Sequence, residues 1–198
     1  MSNKENIIFD GKDILFLIMK KFKLNKNTLD DRFKLQKLIY LLGIFGLKLG
    51  YGFGWYRSGP YSQDIIDDNH YIFSRITDFE RRTKESKWSE NSIKSFKRFE
   101  KLCEKDILED KLRLELITSI MFCITIWGYN NREEIVKKFK KQKRALSNGQ
   151  ILNDEDILKE FDFCELFLKE AKKHKKEQKE REKTEKEKRD IENRMYYI

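Results

Sequence analysis

Apolar positions recur at helical spacing along most of the chain, and the places where that period breaks divide it into elements. Ile14, Leu15, Leu17, Ile18 and Phe22 follow Asp10 and Asp13, acids placed where they complement a helix dipole, and predict a first helix. Asp30 and Asp31 open a second. Its stripe of Phe33, Leu35, Leu38, Ile39, Leu41, Leu42 and Phe45 is wide enough to be central to a core, with Lys34, Gln36 and Lys37 mostly on the other side. The period then stops. Between residues 43 and 60 lie six of the nine glycines and the sole proline, Pro60, interleaved with Tyr51, Phe53, Trp55 and Tyr56. Glycine permits turns and alternate aromatics suit an extended ribbon, so Tyr51 to Arg57 reads as a small strand or hairpin arm. Gly59-Pro60 fixes the turn that delivers Tyr61 and Ser62 to a third helix, Gln63 to about Ile72, with Ser62 placed to accept its first hydrogen bonds.

Residues 77 to 91 are charged and weakly periodic, which suggests a loop or frayed helix carrying Trp88. Helical spacing returns from Ser92 to Cys103 and again, in the most apolar segment, from Leu112 to Trp127, where Gly128 supplies a stop. Arg132 to Lys141 is a short basic helix. A turn at Asn148, Gly149 and Asn153 precedes a last helix that Asp154 caps, with Ile157, Leu158, Phe161, Cys164, Leu168 and Ala171 as its stripe. Lys172 to Asp190 holds no apolar residue, so it is not expected to pack into a core. Glu177/Arg181, Glu182/Lys186 and Glu185/Arg189 are four apart in the favourable order, which suits either a solvated helical projection or a disordered tail. The tip, Met195 to Ile198, is apolar again and able to dock on this protein or on a partner.

Composition narrows the class. Of 198 residues, 43 are Lys or Arg and 34 Asp or Glu, a net charge of +9, and 39% are charged against about 25% in an ordinary domain. The apolar share, also 39%, supports one core of about 150 residues. Few chain breakers suit long helices. The expected architecture is mainly α: a compact helical bundle with a small β-hairpin over residues 1–171, and a long charged C-terminal helix or disordered tail over 172–198. The longest apolar run, Ile117 to Trp127, is eleven residues, whereas a membrane span takes about 20; no signal-peptide core is present either, so a cytoplasmic protein is expected. Cys103, Cys123 and Cys164 are odd in number and lack CxxC spacing, and read as reduced, core-filling thiols.

Candidate chemistry is sparse. Gly50-x-Gly52-x-Gly54 follows a helix and has aromatics in its gaps, unlike a dinucleotide loop. Asp64, Asp67, Asp68 and His70 are the only acid and histidine group of metal-like density, yet carboxylates in a first helical turn are expected electrostatically; no metal or cofactor is assigned. His70 has no Ser or Cys elbow, His174 lies in the lysine-rich tail, and the adjacent Glu133 and Glu134 diverge on a helix, so no enzyme is expected. The basic runs are richer: Lys20/Lys21/Lys23, Arg81/Arg82/Lys84, and Lys137, Lys138, Lys140, Lys141, Lys143 and Arg144. With Trp55, Tyr56 and Arg57 on an arm, they fit a nucleic-acid footprint of arm and helix, or simply solvated faces of a charged protein.

The segment Arg32-Phe33-Lys34-Leu35-Gln36-Lys37-Leu38-Ile39-Tyr40-Leu41-Leu42, followed by Tyr51-Gly52-Phe53, Tyr56 and Gly59-Pro60-Tyr61-Ser62, resembles the SocA-type or Panacea antitoxin domain and its YwgA-type relatives. The likeness covers residues 13 to 75. Ser58 stands where many relatives have glycine, and the charged tail lies outside the pattern. Leu35, Leu38, Tyr40, Gly59, Pro60 and Ser62 are then structural members of the motif, while Gln36, Lys37, Tyr56 and Arg57 are the ones expected at the surface. The resemblance implies a compact helical domain with a small, winged-helix-like β element that acts by binding rather than catalysis, as an antitoxin or defence-associated protein with a cognate protein partner. The expected partner surface is the aromatic arm with the adjoining helix, Gln36, Lys37, Trp55, Tyr56, Arg57 and Tyr61, with the charged tail as a second contact. The alternative is a winged-helix-like DNA-binding regulator that uses Lys137 to Arg144 for phosphates.

Overall fold

The computed structural model describes residues 11–24, 28–47, 49–85, 90–103 and 105–195. It is mainly helical with one two-stranded antiparallel hairpin. Asp10, Trp88 and the apolar tip at 196–198 lie outside the described residues.

Helix α1 (Gly11–Lys21) and α2 (Leu29–Phe45) run where periodicity places them. The cap of α2 is Thr28, which accepts from the Asp31 amide at 3.1 Å. At its other end Gly46 adopts φ 111° and donates back into the last turn, the left-handed stop that glycine tolerates. Strands β1 (Gly54–Tyr56) and β2 (Gly59–Tyr61) pair Trp55 with Pro60 and Tyr56 with Gly59, leaving Arg57 and Ser58 as the turn. Then come α3 (Gln63–Ser74), α4 (Ile76–Glu85), α5 (Glu90–Leu102), the short α6 (Lys105–Glu109), α7 (Lys111–Thr125), α8 (Arg132–Gln142) and α9 (Asp154–Met195).

Helix α7 is the centre. It packs against α9, α2, α6, α8 and β2, and every residue from Leu114 to Cys123 is buried. Helix α2 is buried continuously from Leu35 to Leu42, so two of the elements closest to the hairpin are enclosed on all sides. Aromatic rings fill the gap below: Phe45 meets Phe99 and Phe167, and Tyr40 meets Phe53 edge-on at 5.0 Å between centroids. Cys103, Cys123 and Cys164 are buried and unbridged.

Four expectations are corrected. Residues 76–85 form a regular helix, because Phe79 and Thr83 lie one turn apart and are both buried. The cap of α9 is Asn153, whose side chain accepts from the Asp156 amide at 2.7 Å, while Asp154 instead pairs with Lys140. Ser62 precedes α3 in extended backbone but makes no side-chain cap. The charged C-terminal segment continues α9 without interruption, and its start does join the core: His174 is 2% exposed and stacks on Phe45 at 5.0 Å. Its Nε2 lies 2.7 Å from Ser95 Oγ, which also accepts from Gln178, while Arg98 pairs with Glu177. From Glu182 to Ile191 the residues are exposed. Among the described residues no helix is long and apolar enough to cross a membrane.

Candidate functional site

The hairpin is too short to hold itself, since two strands of three residues supply few ladder bonds. Buried side chains from elsewhere hold it. Gln36, 3% exposed on α2, exchanges two hydrogen bonds with Ser62: its Nε2 donates to the Ser62 carbonyl at 2.6 Å and its Oε1 accepts from the Ser62 amide at 2.8 Å. The amide group thus acts as a strand neighbour would. One residue on, Lys37 Nζ donates to the Pro60 carbonyl at 2.8 Å. From the far side, Lys143 Nζ donates to the Arg57 carbonyl at 2.7 Å. Three polar side chains therefore bond the backbone at 57, 60 and 62.

These anchors include buried charge, which must be compensated. Lys143 pairs with Glu115 at 2.7 Å, both essentially enclosed, and Glu115 further accepts from the Ser147 amide and hydroxyl. Lys37 feels Glu115 but also the repelling Lys143. Burial outweighs the carboxylate and pushes its ammonium down to about 7. Gly59 closes the arrangement. Its φ is +83°, and a Cβ there would stand 2.3 Å from Ser119 Oγ on α7, so glycine is required both by conformation and by space.

Gln36 and Lys37, expected at the surface, are thus interior anchors. The helix has no polar side at that level because β2, α7 and α9 pack against it. Lys143 is likewise turned inward, which removes it from the basic run. Lys138 pairs with Glu134 and Lys140 with Asp154, and Lys137, Lys138, Lys141 and Arg144 are exposed. Lys137 to Arg144 is not one cationic surface. Trp55 is half-buried, its ring 4.7 Å from Trp127 and 5.7 Å from Phe122, so it supports the arm rather than presenting a ring. Leu35, Leu38, Tyr40, Gly59, Pro60 and Ser62 are buried.

What the hairpin does present is Tyr56, 57% exposed, with Arg57 exposed on the turn and the half-buried Tyr61 beside it; the two tyrosine rings lie 4.7 Å apart. Together with Leu29, Arg32, Phe33 and Ile66 these residues line a groove of about 350 Å³ with Gln36, Lys37, Ser58 and Gly59 at its base. Leu29 is 78% exposed at its rim. Sequence reasoning missed Leu29, Arg32 and Phe33 as site members; the signal was their position one to two turns before Gln36 on the same helix.

The acids of α3 are already engaged or dispersed. Asp68 accepts from Tyr51 at 2.9 Å and pairs with Lys12 at 2.9 Å, and Asp67 accepts from Gln63. Among the described residues, no three His, Cys, Asp or Glu side chains gather as metal ligands. His174 and Ser95 are mutually bonded but both are enclosed, and burial holds the imidazole below its ordinary pKa. No family model matches the chain, and no curated protein matches it.

Proposed function

We propose that this protein is a non-enzymatic, cytoplasmic binding module of antitoxin-like or defence-associated type, and that it holds a cognate protein partner on the face formed by Tyr56, Arg57, Tyr61 and the start of α2. One observation carries the reading. Three buried polar side chains are committed to fixing an eight-residue hairpin whose outward side chains are two tyrosines and an arginine. Tyrosine and arginine are the residue types that dominate binding energy at protein interfaces, and preorganisation lowers the cost of binding. The resemblance at Arg32 to Ser62 supports the same class of function.

The test is co-expression with the products of the genes flanking its own. Retention of one such product by the wild-type chain, and its loss with Tyr56→Ala or Arg57→Ala at unchanged fold, supports the reading. Binding to random duplex DNA that weakens steeply between about 50 and 200 mM salt, with no protein retained, would replace it with the DNA-binding alternative.

A further inference from the structure

The groove between α2 and the hairpin has a chemical bias. Among the described residues its charged lining is Arg32, Lys37 and Arg57, with no acid. Its walls are apolar and aromatic: Leu29, Phe33, Tyr56, Tyr61 and Ile66. A second observation comes from Arg32, whose Nε is buried with no hydrogen-bond acceptor among the described residues. Buried guanidinium donors are ordinarily satisfied, and a carboxylate is the acceptor their planar fork suits best. Lys37 adds to this. Its ammonium sits over the Phe33 ring at 5.2 Å while bonded to Pro60, and an anion entering the groove would favour its charged form.

We propose that the groove receives an acidic segment of the partner protein, an Asp or Glu carboxylate meeting Arg32 and Arg57 and an adjacent aliphatic or aromatic side chain lying against Phe33, Tyr56 and Ile66. This rests on the reading of the hairpin face as the partner surface and adds the chemistry of what lands there. Arg57 supplies its side chain from an exposed turn whose carbonyl is already held by Lys143, so the guanidinium is presented from a fixed backbone. Tyr61 donates to Gln63 at 2.8 Å, which orients its ring along the groove wall.

The experiment is selection of a random twelve-residue peptide library displayed on phage against the intact wild-type protein, followed by affinity measurement of the enriched peptides as free synthetic chains. The expected result is enrichment of Asp or Glu next to Leu, Ile, Phe or Tyr. Binding should fall at least tenfold with Arg57→Gln and with Arg32→Gln, and on replacing the peptide's acids by their amides, while circular dichroism shows both variants folded. Should Arg32→Gln fail to fold, the exposed Arg57→Gln and the amide peptides decide alone. No enrichment, or enriched peptides indifferent to Arg57→Gln, overturns the proposal. Acid-free peptides that still depend on Tyr56 would overturn the acidic segment alone and leave the hairpin face as the partner surface. Preference for a duplex oligonucleotide over every peptide, lost with Arg57→Gln, would overturn both.

Discussion

Gln36 and Ser62, one on a helix and one at the end of a strand, face each other so that a side-chain amide completes the ladder of a backbone peptide, with 2.6 and 2.8 Å between the paired atoms. The exchange satisfies both backbone groups of Ser62. Gln36→Leu keeps the volume and removes both partners, stranding a buried N–H and a buried carbonyl at a cost of about 1 to 3 kcal/mol each. A loss of about 2 to 5 kcal/mol in chemical denaturation is expected, with weaker protection of the Ser62 amide in hydrogen exchange. A loss under about 0.5 kcal/mol would mean water reaches Ser62.

Gly59 and Ser119 offer a double-mutant test. Gly59→Ala places a methyl group 2.3 Å from Ser119 Oγ at φ +83°, combining a steric clash with about 1 to 2 kcal/mol for left-handed backbone. Ser119→Ala removes the obstructing atom, which has no hydrogen-bond partner among the described residues, so alone it should be nearly neutral. Combined with Gly59→Ala it should recover the clash and leave only the backbone cost. Simple additivity in denaturation midpoints would contradict the packing described.

Lys37 predicts a pH dependence with a definite sign. Its pKa falls from the ordinary 10.5 to about 7 on folding, so between those values the unfolded chain binds more protons than the folded one. Stability contributed at this site is present above about 10.5 and is lost as pH falls through 7. Measured from pH 6 to 10, the unfolding free energy of wild type relative to Lys37→Met should therefore rise with pH. A difference that is flat, or that falls, would place a better-compensated charge at residue 37.

Glu115 and Lys143 are enclosed together. Removing one partner strands the other, so Glu115→Gln and Lys143→Met should each cost about 3 to 5 kcal/mol, and the double variant much less than their sum. Lys143→Met should also loosen the Arg57 turn, read as faster amide exchange at residues 56 to 59.

The C-terminal segment should divide at about residue 182. Truncation before Lys172 removes His174, Glu177 and Gln178 from their contacts with Phe45, Ser95 and Arg98 and should lower the melting temperature by several degrees. Truncation after Arg181 should leave it within about 2 °C. Equal effects would show that the buried turn at His174 contributes nothing.

The helical architecture, the hairpin and the central stripe of α2 were legible because each follows from local periodicity and glycine placement. Gln36, Lys37 and Lys143 were not. A polar side chain on a buried helix looks like a surface residue until its acceptors are known, and those acceptors are backbone carbonyls 23, 26 and 86 residues away. A trace was present in α2, where Gln36 and Lys37 are the only strongly polar residues between Leu35 and Leu42. His174 had a clearer signal: it lies three residues beyond Ala171 and seven beyond Phe167, continuing the stripe of α9 into a run whose charge hid it. Phe79 with Thr83 hid in the same way.

Trp55 and Tyr56 are neighbours with opposite duties, and that contrast gives the most direct measurement. Trp55→Ala should cost about 2 kcal/mol through lost packing on Trp127 and Phe122, whereas Tyr56→Ala, 57% exposed, should leave the melting temperature within about 2 °C. Affinity for the co-expressed protein partner, measured by titration calorimetry at matched folded fraction, should fall at least 30-fold for Tyr56→Ala combined with Arg57→Ala. Affinity unchanged by that pair, or lost only in proportion to unfolding, would show that the hairpin face is not where this protein binds.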